Sequence, residues 1–565
     1  MTKKKRIDPV TLYTVWYAMQ SICYDMRHLV ERTGQNYLMT EAHDFSVGIW
    51  DASGRTIAMP VGIAVQFLGA SFAVKSIVAK FGKNLKPGDV ILTNDPYHGG
   101  HNCHLPDWGF FRPVFHRGKL MFWTLARGHQ QDTGGALPGG YPPNGYDIHA
   151  EGLCVPPIKV VEAGRERADV LELIWGNVRF ADGVRIDNYA MIAATKLCDV
   201  RLNKLLDKFG ASTVRQCIEE MMNRTEAAVR NEIGKIPAGT YYGESSTDDD
   251  GTILDVPVSV RCNVTVKGGE MVFDFSQNEA QRKGFINCTY ATTFAQAVAA
   301  AILTFDPALA DFHNEGTMRP MTVIAPPGTV VNAVYPATVG ASPNSLGVPI
   351  MEAVLQALSM AVPEKSIAGA GRTRANRIFG TDAKTGRNYQ LTGFNPCGGL
   401  GAVYGYDGYQ TILMQGRGAM NRGNVEEEEA RFPWRYLKYE FATDLMGAGK
   451  WRGSPGIHWE AVNEGGEARI LTSSNDGDET VGHGCLGGQP PRFSRTLLRR
   501  GNEEIRVKVH RVAVIEPGDV LVRLSSGGGG VGDPAERERD RVLEDVRDGI
   551  VSPENARDIY RQEIS

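Results

Sequence analysis

Nothing in this sequence approaches the roughly 20 consecutive apolar residues that a helix needs to cross a bilayer. Its basic start, MTKKKR, reads as a solvated tail and leads into Pro9 and a polar-interrupted helical pattern, not into an apolar secretion core. A cytoplasmic location without membrane contact is the expectation. The nine cysteines are odd in number and scattered, and they contain no C-x-x-C. That argues against a disulfide framework or a zinc ribbon and points to buried thiols. Cations are not in surplus either: 61 Lys and Arg against 65 Asp and Glu give a net charge of -4, so no basic footprint for nucleic acid is present.

Several chemistry-bearing motifs are also missing. Without a G-x-S-x-G there is no nucleophile elbow. The nearest approach to a phosphate loop, MGAGKWRG at Met446 to Gly453, places Trp451 after Lys450 where Ser or Thr is needed, and its glycine spacing fails. GGGGVGDP (Gly527 to Pro534) formally contains G-x-G-x-x-G, but Asp533 and Pro534 follow at once and no βαβ unit surrounds it, so it reads as a packed glycine turn. DDDG at Asp248 to Gly251 lacks the distal Glu of a calcium loop and reads as a turn. The EEEE run at 426 to 429 reads as a solvated face.

What is present is a 565-residue chain, too long for one core. The patterns predict a multidomain α+β protein with mixed and antiparallel sheets and helices, carrying a metal-bearing N-terminal domain. The divisions expected are 1-210 (N-terminal), 211-380 (central α+β), 381-534 (glycine-rich β) and 535-565 (a charged helical tail). Helical spacing covers 9 to 32, Val65 to Phe81, and 189 to 235 with a stop at Gly210. Residues 289 to 304 and 348 to 362 read as buried helices. DFSVGIW, DASGR and TIAMPV read as strand, turn and strand, with Asp44 near the open end.

The densest cluster of ligating side chains is NDPYHGGHNCHLPD, Asn94 to Asp107, followed by RGHQQD at Arg127 to Asp132. Between them FFRPVF, HRGK and LMFWTL predict a hairpin. With its turn centred between Arg117 and Gly118, Asp107 falls opposite Gly128, and His104, Asp107 and His129 emerge at one end. Asp44 is a fourth candidate. Two imidazoles and two carboxylates suit Zn, Mn or Fe with an open position. Taken singly, each of these residues could instead stabilise a tight loop. His98, His101, His43 and Asp132 lie nearby, and His98, His101 and Asp132 are candidates for proton transfer. Trp108, Phe110, Phe111, Phe122 and Trp123 read as sheet core, whereas Tyr141, in the loop GGALPGGYPPNG, is the best candidate for substrate contact.

Eight ordered segments resemble the hydantoinase B/oxoprolinase family: HDFSVGIWD, GDVILTNDPYHGGHNCHLPD, RGHQQDTGG, EGLCVPPIK, DFSQNEAQRKGFIN, NEGTMRPMTVIAPPGTVVN, GAGKWRGSPG and GGGGVGDP. The resemblance spans nearly the whole chain. It implies that ATP is bound by a separate sugar-kinase-like, hydantoinase A-type partner, which phosphorylates the substrate or bicarbonate, while this chain receives the activated species at a metal. The family's ligands fall on Asp44, His104, Asp107 and His129, with Zn favoured and Mn or Fe as alternatives.

The chain departs from the usual pattern in three places. His101 to His104 form a longer loop, RFADGVRIDN lacks the usual Pro and Gly-Asp-Leu, and Leu445 and Met446 stand where Ser-Gly is common. These departures favour a carboxylase that joins bicarbonate to a ketone, as in acetophenone carboxylase, with small extra subunits. The alternative is ATP-dependent opening of a hydantoin or lactam. A third reading gives the chain a role in assembly alone, with a metal that only staples loops.

Overall fold

The computed structural model describes residues 7–59, 62–372, 374–410, 416, 420–473 and 475–563. The basic start MTKKKR and the last two residues of TIAMPV lie outside them. The first helix, Pro9–Thr33, begins where Asp8 accepts hydrogen bonds from the Val10 and Thr11 amides, with Pro9 in the first turn. It packs on a seven-stranded antiparallel sheet made of β1 (Phe45–Asp51), β2 (Thr56–Ala58), β3 (Val90–Thr93), β4 (Asp107–His116), β5 (Lys119–His129), β6 (Ile158–Glu162) and β7 (Arg165–Glu166). The spatial order is β2-β1-β5-β4-β3-β6-β7.

Both faces of this sheet are covered, which is why β4 and β5 are nearly continuous apolar runs. Alternation sends Trp108, Phe110 and Phe122 to the face shared with Pro9–Thr33 and Ala181–Phe209. Phe111, Trp123 and Leu125 go to the face covered by Ala70–Phe81. The aromatics of the hairpin are core, as their spacing predicts.

The hairpin register differs from the sequence-based expectation by one residue. His116 pairs with Lys119 as the turn requires, but Val114 pairs with Phe122 while Phe115 pairs with Leu120. Met121 is therefore an extra residue in β5, a bulge that shifts every later pair. Asp107 consequently sits opposite His129 itself, not Gly128.

The predicted helix Val65 to Phe81 is two helices, Ala64–Phe67 and Ala70–Phe81. Gly69 lies between them, where a Cβ would come within 2.9 Å of the Ala291 Cβ. The stretch Ala64–Asn84 has the length and mean hydropathy (1.3) of a membrane span. Its apolar side, however, is packed on Trp50, Phe111 and Trp123 of the sheet.

Helices Ala181–Phe209 and Ala211–Gly234 meet at Gly210, whose φ of 79° breaks the helix. The apolar faces of both continue the N-terminal core as far as Met222. A second sheet, in the order β11-β10-β9-β8, contains β8 (Gly239–Thr247), β9 (Val258–Lys267), β10 (Glu270–Asp274) and β11 (Met321–Ile324), with only β10 and β11 parallel. The buried helices Tyr290–Ile302 and Gly347–Ala361 share its core.

Two further antiparallel sheets share one core around Trp434, Trp459 and Leu521. One is β13-β12-β16-β19, from Asn388–Gly393, Asn376–Thr381, Ala468–Leu471 and Val512–Ile515. The other is β14-β15-β20-β17-β18, from Trp434–Ala442, Gly456–Asn463, Val520–Ser525, Arg495–Arg500 and Glu503–Arg506. The whole is the α+β architecture the patterns predict. The charged C-terminal segment is docked: Val542, Val551, Ala556 and Tyr560 pack on Met446 and Ala448.

Two acidic runs acquire roles. Asp248 is buried, and its carboxylate accepts the amides of Gly477, Asp478, Glu479 and Thr480 at 2.8–3.1 Å, so it pins one loop onto another. The solvated-face reading of EEEE fails at Glu428. Its carboxylate is buried and accepts the Tyr37 hydroxyl at 2.6 Å and the Tyr436 hydroxyl, tying Val425–Arg431 to the N-terminal part of the chain.

Candidate functional site

Four side chains meet at the open end of the β4–β5 hairpin. Asp107 opens β4 and His129 closes β5, so the pairing of the two strands places them side by side. Asp44 immediately precedes β1, whose Phe45 pairs with Gly128, and the His129 amide donates to the Asp44 carbonyl at 3.0 Å. His104 arrives from the preceding loop. Its Nε2 lies 3.2 Å from Asp107 Oδ1, and His129 Nδ1 lies 3.3 Å from that oxygen and 3.9 Å from Asp44 Oδ2. All four residues are buried.

The surroundings fix the orientation of these donors. His104 Nδ1 is 2.9 Å from the Gly340 carbonyl, which can only accept, so Nδ1 carries a proton. In a neutral ring, Nε2 then aims a lone pair at Asp107 Oδ1. That oxygen is buried and has no hydrogen-bond partner among the described residues. A lone pair facing a carboxylate is repulsive unless a cation stands between them or the ring is protonated. Ligand bonds of about 2.0–2.2 Å in tetrahedral array put neighbouring donors about 3.3–3.6 Å apart. The separations of 3.2 and 3.3 Å to Asp107 Oδ1 suit a divalent metal, and the donors fall into two groups that share Asp107: Cys103, His104 and Asp107, and Asp44, Asp107 and His129.

Second contacts support this reading. Gln66 Nε2 donates to Asp44 Oδ1 at 3.0 Å, and the Cys103 thiol donates to Asp107 Oδ2 at 2.9 Å. Burial pushes the Asp107 carboxyl upward in pKa, but cationic charge beside it, which protonated His104 and His129 supply when no metal is bound, holds it well below the carboxylate range. The Cys103 thiol is pushed up, first by burial and then by the Asp107 charge, so it stays a protonated donor.

Tyr141 forms the opposite wall. Its ring stacks on His129 at 6.1 Å, its hydroxyl is 3.4 Å from His104 Nδ1, and the Arg377 guanidinium lies over the ring at 4.2 Å from its centre. Asn344, Thr392 and Phe394 complete a cavity with these residues.

A sequence profile described as hydantoinase B/oxoprolinase matches residues 8–534. The chain belongs to the hydantoinase B/oxoprolinase family. It is 30% identical over 560 residues to the beta subunit of caprolactamase from Pseudomonas jessenii, covering 98% of this chain and 95% of that one. It is 29% identical to the B component of a putative D-/L-hydantoinase of Pseudomonas sp. (strain NS671), again covering 98% and 95%. The crystal structure of ATP-dependent caprolactamase from Pseudomonas jessenii superposes with a TM-score of 0.92 at 28% identity, over 99% of this chain and 97% of that one. A nucleotide-free acetone carboxylase structure superposes with a TM-score of 0.89 at 18% identity, over 98% and 79%, which is a likeness of fold.

In this hydantoinase B-type protein the four residues expected as metal ligands, Asp44, His104, Asp107 and His129, converge on one cavity. The three expected to move protons are not in its lining. His98 is half-exposed, bonded to Asp95 at 3.1 Å and packed on Tyr335. The His101 Nε2 meets the Ser76 hydroxyl at 2.9 Å, and burial pulls its pKa down. Asp132 accepts the Gly134 and Gly139 amides and pairs with Arg179, so it shapes the glycine loop that presents Tyr141. His43 faces Glu31 and Asn421.

Sequence reasoning missed Gln66, Asn344 and Arg377. A signal existed for the last: Arg372, Arg374 and Arg377 crowd an otherwise small and apolar stretch, GAGRTRANRIFG.

Proposed function

We propose that this chain is the metal-bearing subunit of an ATP-dependent enzyme that opens a cyclic amide, with ATP used by a partner subunit. The observation carrying this reading is the buried set Asp44, His104, Asp107 and His129 around an oxygen with no hydrogen-bond partner among the described residues. These residues would hold a divalent ion, Zn first, with Mn or Fe as alternatives. When bound, such an ion supplies Lewis-acid polarisation of a carbonyl or phosphoryl oxygen and lowers the pKa of a water.

The protein's own groups do the rest. The Gly340 carbonyl fixes the His104 tautomer, and Gln66 orients Asp44. The Tyr141 ring lies near-parallel to His129, 6.1 Å between centres, and walls that side of the cavity. Arg377 supplies positive charge where negative charge develops during acyl transfer. Asp132 holds the Tyr141 loop in shape, a positioning role that replaces the proton transfer expected of it. His98 and His101 are too far into their own contacts to serve without rearrangement.

Ring opening ranks ahead of the ketone carboxylation first read from the sequence because the near-full-length likeness is to lactam- and hydantoin-type subunits. Carboxylation with bicarbonate, including acetophenone as substrate and small extra subunits, is the second reading, favoured by the shared fold. In both, a kinase-like hydantoinase A-type partner brings ATP, and the site lies in the cytoplasm. The purified complex should be given ATP with a panel of lactams and hydantoins, and separately with ketones and labelled bicarbonate. ATP-dependent ring opening without label uptake is expected. Label entering a ketone, with every ring left intact, would reverse the ranking.

A further inference from the structure

Behind the cavity lies an excess of buried positive charge that the four ligands do not explain. Arg374, Arg377 and Arg523 are all buried, and among the described residues only Asp478 pairs with any of them, at 2.7 Å from Arg374. Arg523 donates to the Thr496 hydroxyl and the Ala375 carbonyl. Arg377 donates to the Ser473 carbonyl at 3.2 Å and more weakly to Asn475. The Nε of each of the three has no hydrogen-bond partner among the described residues. The Arg523 guanidinium is pushed down to about 9, first by burial, then by the charge of Arg374 and, more weakly, by that of Arg377. These guanidiniums therefore feel one another.

Of the three, only Arg377 reaches the cavity, where its guanidinium carbon stands 4.2 Å from the Tyr141 ring centre in a cation–π contact. A guanidinium held against a ring in this way can still offer N–H groups to a planar or tetrahedral oxyanion, a fork that a lysine could not match. Among the described residues no carboxylate pairs with Arg377, and the acceptors it does reach, the Ser473 carbonyl and Asn475, are neutral. Burying such a cation is costly unless something completes it. A neutral lactam or ketone does not; an anionic group does.

We propose that Arg377 is the anion-recognising residue of this site, taking a phosphate or carboxylate oxygen of the bound species beside Asp44, His104, Asp107 and His129. The assignment rests on the reading of those four residues as the substrate site. It is tested without turnover. Inorganic phosphate and propionate, one probe for each source of the anion, are titrated calorimetrically into the metal-loaded complex as wild type, Arg377→Gln and Arg377→Lys.

Wild type should bind at least one probe. Arg377→Gln should weaken that binding about tenfold to a hundredfold, the loss of a charged hydrogen-bonding partner, with metal content unchanged. Arg377→Lys should fall between the two. Binding of phosphate alone or propionate alone supports the assignment and identifies the group. In parallel, phenylglyoxal labelling of the wild type, read by peptide mass at Arg377, should be slowed by the bound probe, a measurement that stands even if Arg377→Gln does not fold. No binding of either probe, equal binding by Arg377→Gln, or labelling at Arg377 indifferent to the probe overturns the proposal. Loss of metal on mutating His104 bears on the site reading separately, since it leaves these anion titrations unmoved in meaning.

Discussion

Replacing Glu151 by Gln should leave stability nearly unchanged below about pH 4, the unfolded carboxyl range, and raise it at pH 8. Glu151 is buried, and its Oε1 accepts the Val339 and Gly340 amides at 2.7 and 2.8 Å, while Oε2 has no hydrogen-bond partner among the described residues. Burial is the main cause that pushes its pKa from 4.5 to about 8; the two amides pull the other way. Between those values the native protein holds a proton that the unfolded chain has released, so stability falls as pH rises, by up to about 1.4 kcal/mol per pH unit. The full shift corresponds to about 5 kcal/mol as an upper figure.

Gln mimics the protonated acid and removes this slope. Melting temperatures of wild type and Glu151→Gln from pH 5 to 8 should therefore diverge steadily, because other titrating groups cancel in the difference. Parallel curves, or a variant that loses ground as pH rises, would refute the assignment of a neutral Glu151. The residue matters to the site because Gly340, which it grips through the amide, is the carbonyl that orients His104.

Gln66→Leu removes the hydrogen bond that aims Asp44 and should weaken metal affinity about 10–100-fold in a chelator competition; unchanged affinity would mean that Asp44 is held otherwise. Gly528→Ala would place a Cβ 2.0 Å from the Leu400 carbonyl oxygen, so it should destabilise the chain by about 3 kcal/mol or more and cut the soluble yield. A normal melting temperature in that variant would show that the glycine run has room to move.

The strands of the β4–β5 hairpin, the residues at its open end and the convergence of Asp44 could be read from the sequence because alternation and turn chemistry are local. The register could not, since the Met121 bulge depends on how both faces of the sheet pack, and nothing in LMFWTL marks which residue is extra. Asp132 and the two loop histidines looked catalytic because proximity in sequence to a ligand was all that could be weighed; in the fold backbone amides and Arg179 claim Asp132, Asp95 claims His98 and Ser76 claims His101. Glu428 hid in a charged run because its tyrosine partners come from positions 37 and 436. Gly340 and Glu151 were out of reach for the same reason: their roles exist only once segments some 190 to 240 residues apart are brought together.

The central claim is that Asp44, His104, Asp107 and His129 hold one catalytic divalent ion. Elemental analysis of the purified complex, wild type against Asp107→Asn, tests it most directly when paired with ATP-dependent turnover. One metal per chain is expected in the wild type, with both metal and turnover lost in the variant while assembly and fold persist. A fully active wild type without metal, or an Asp107→Asn complex that keeps its metal and its rate, would contradict it.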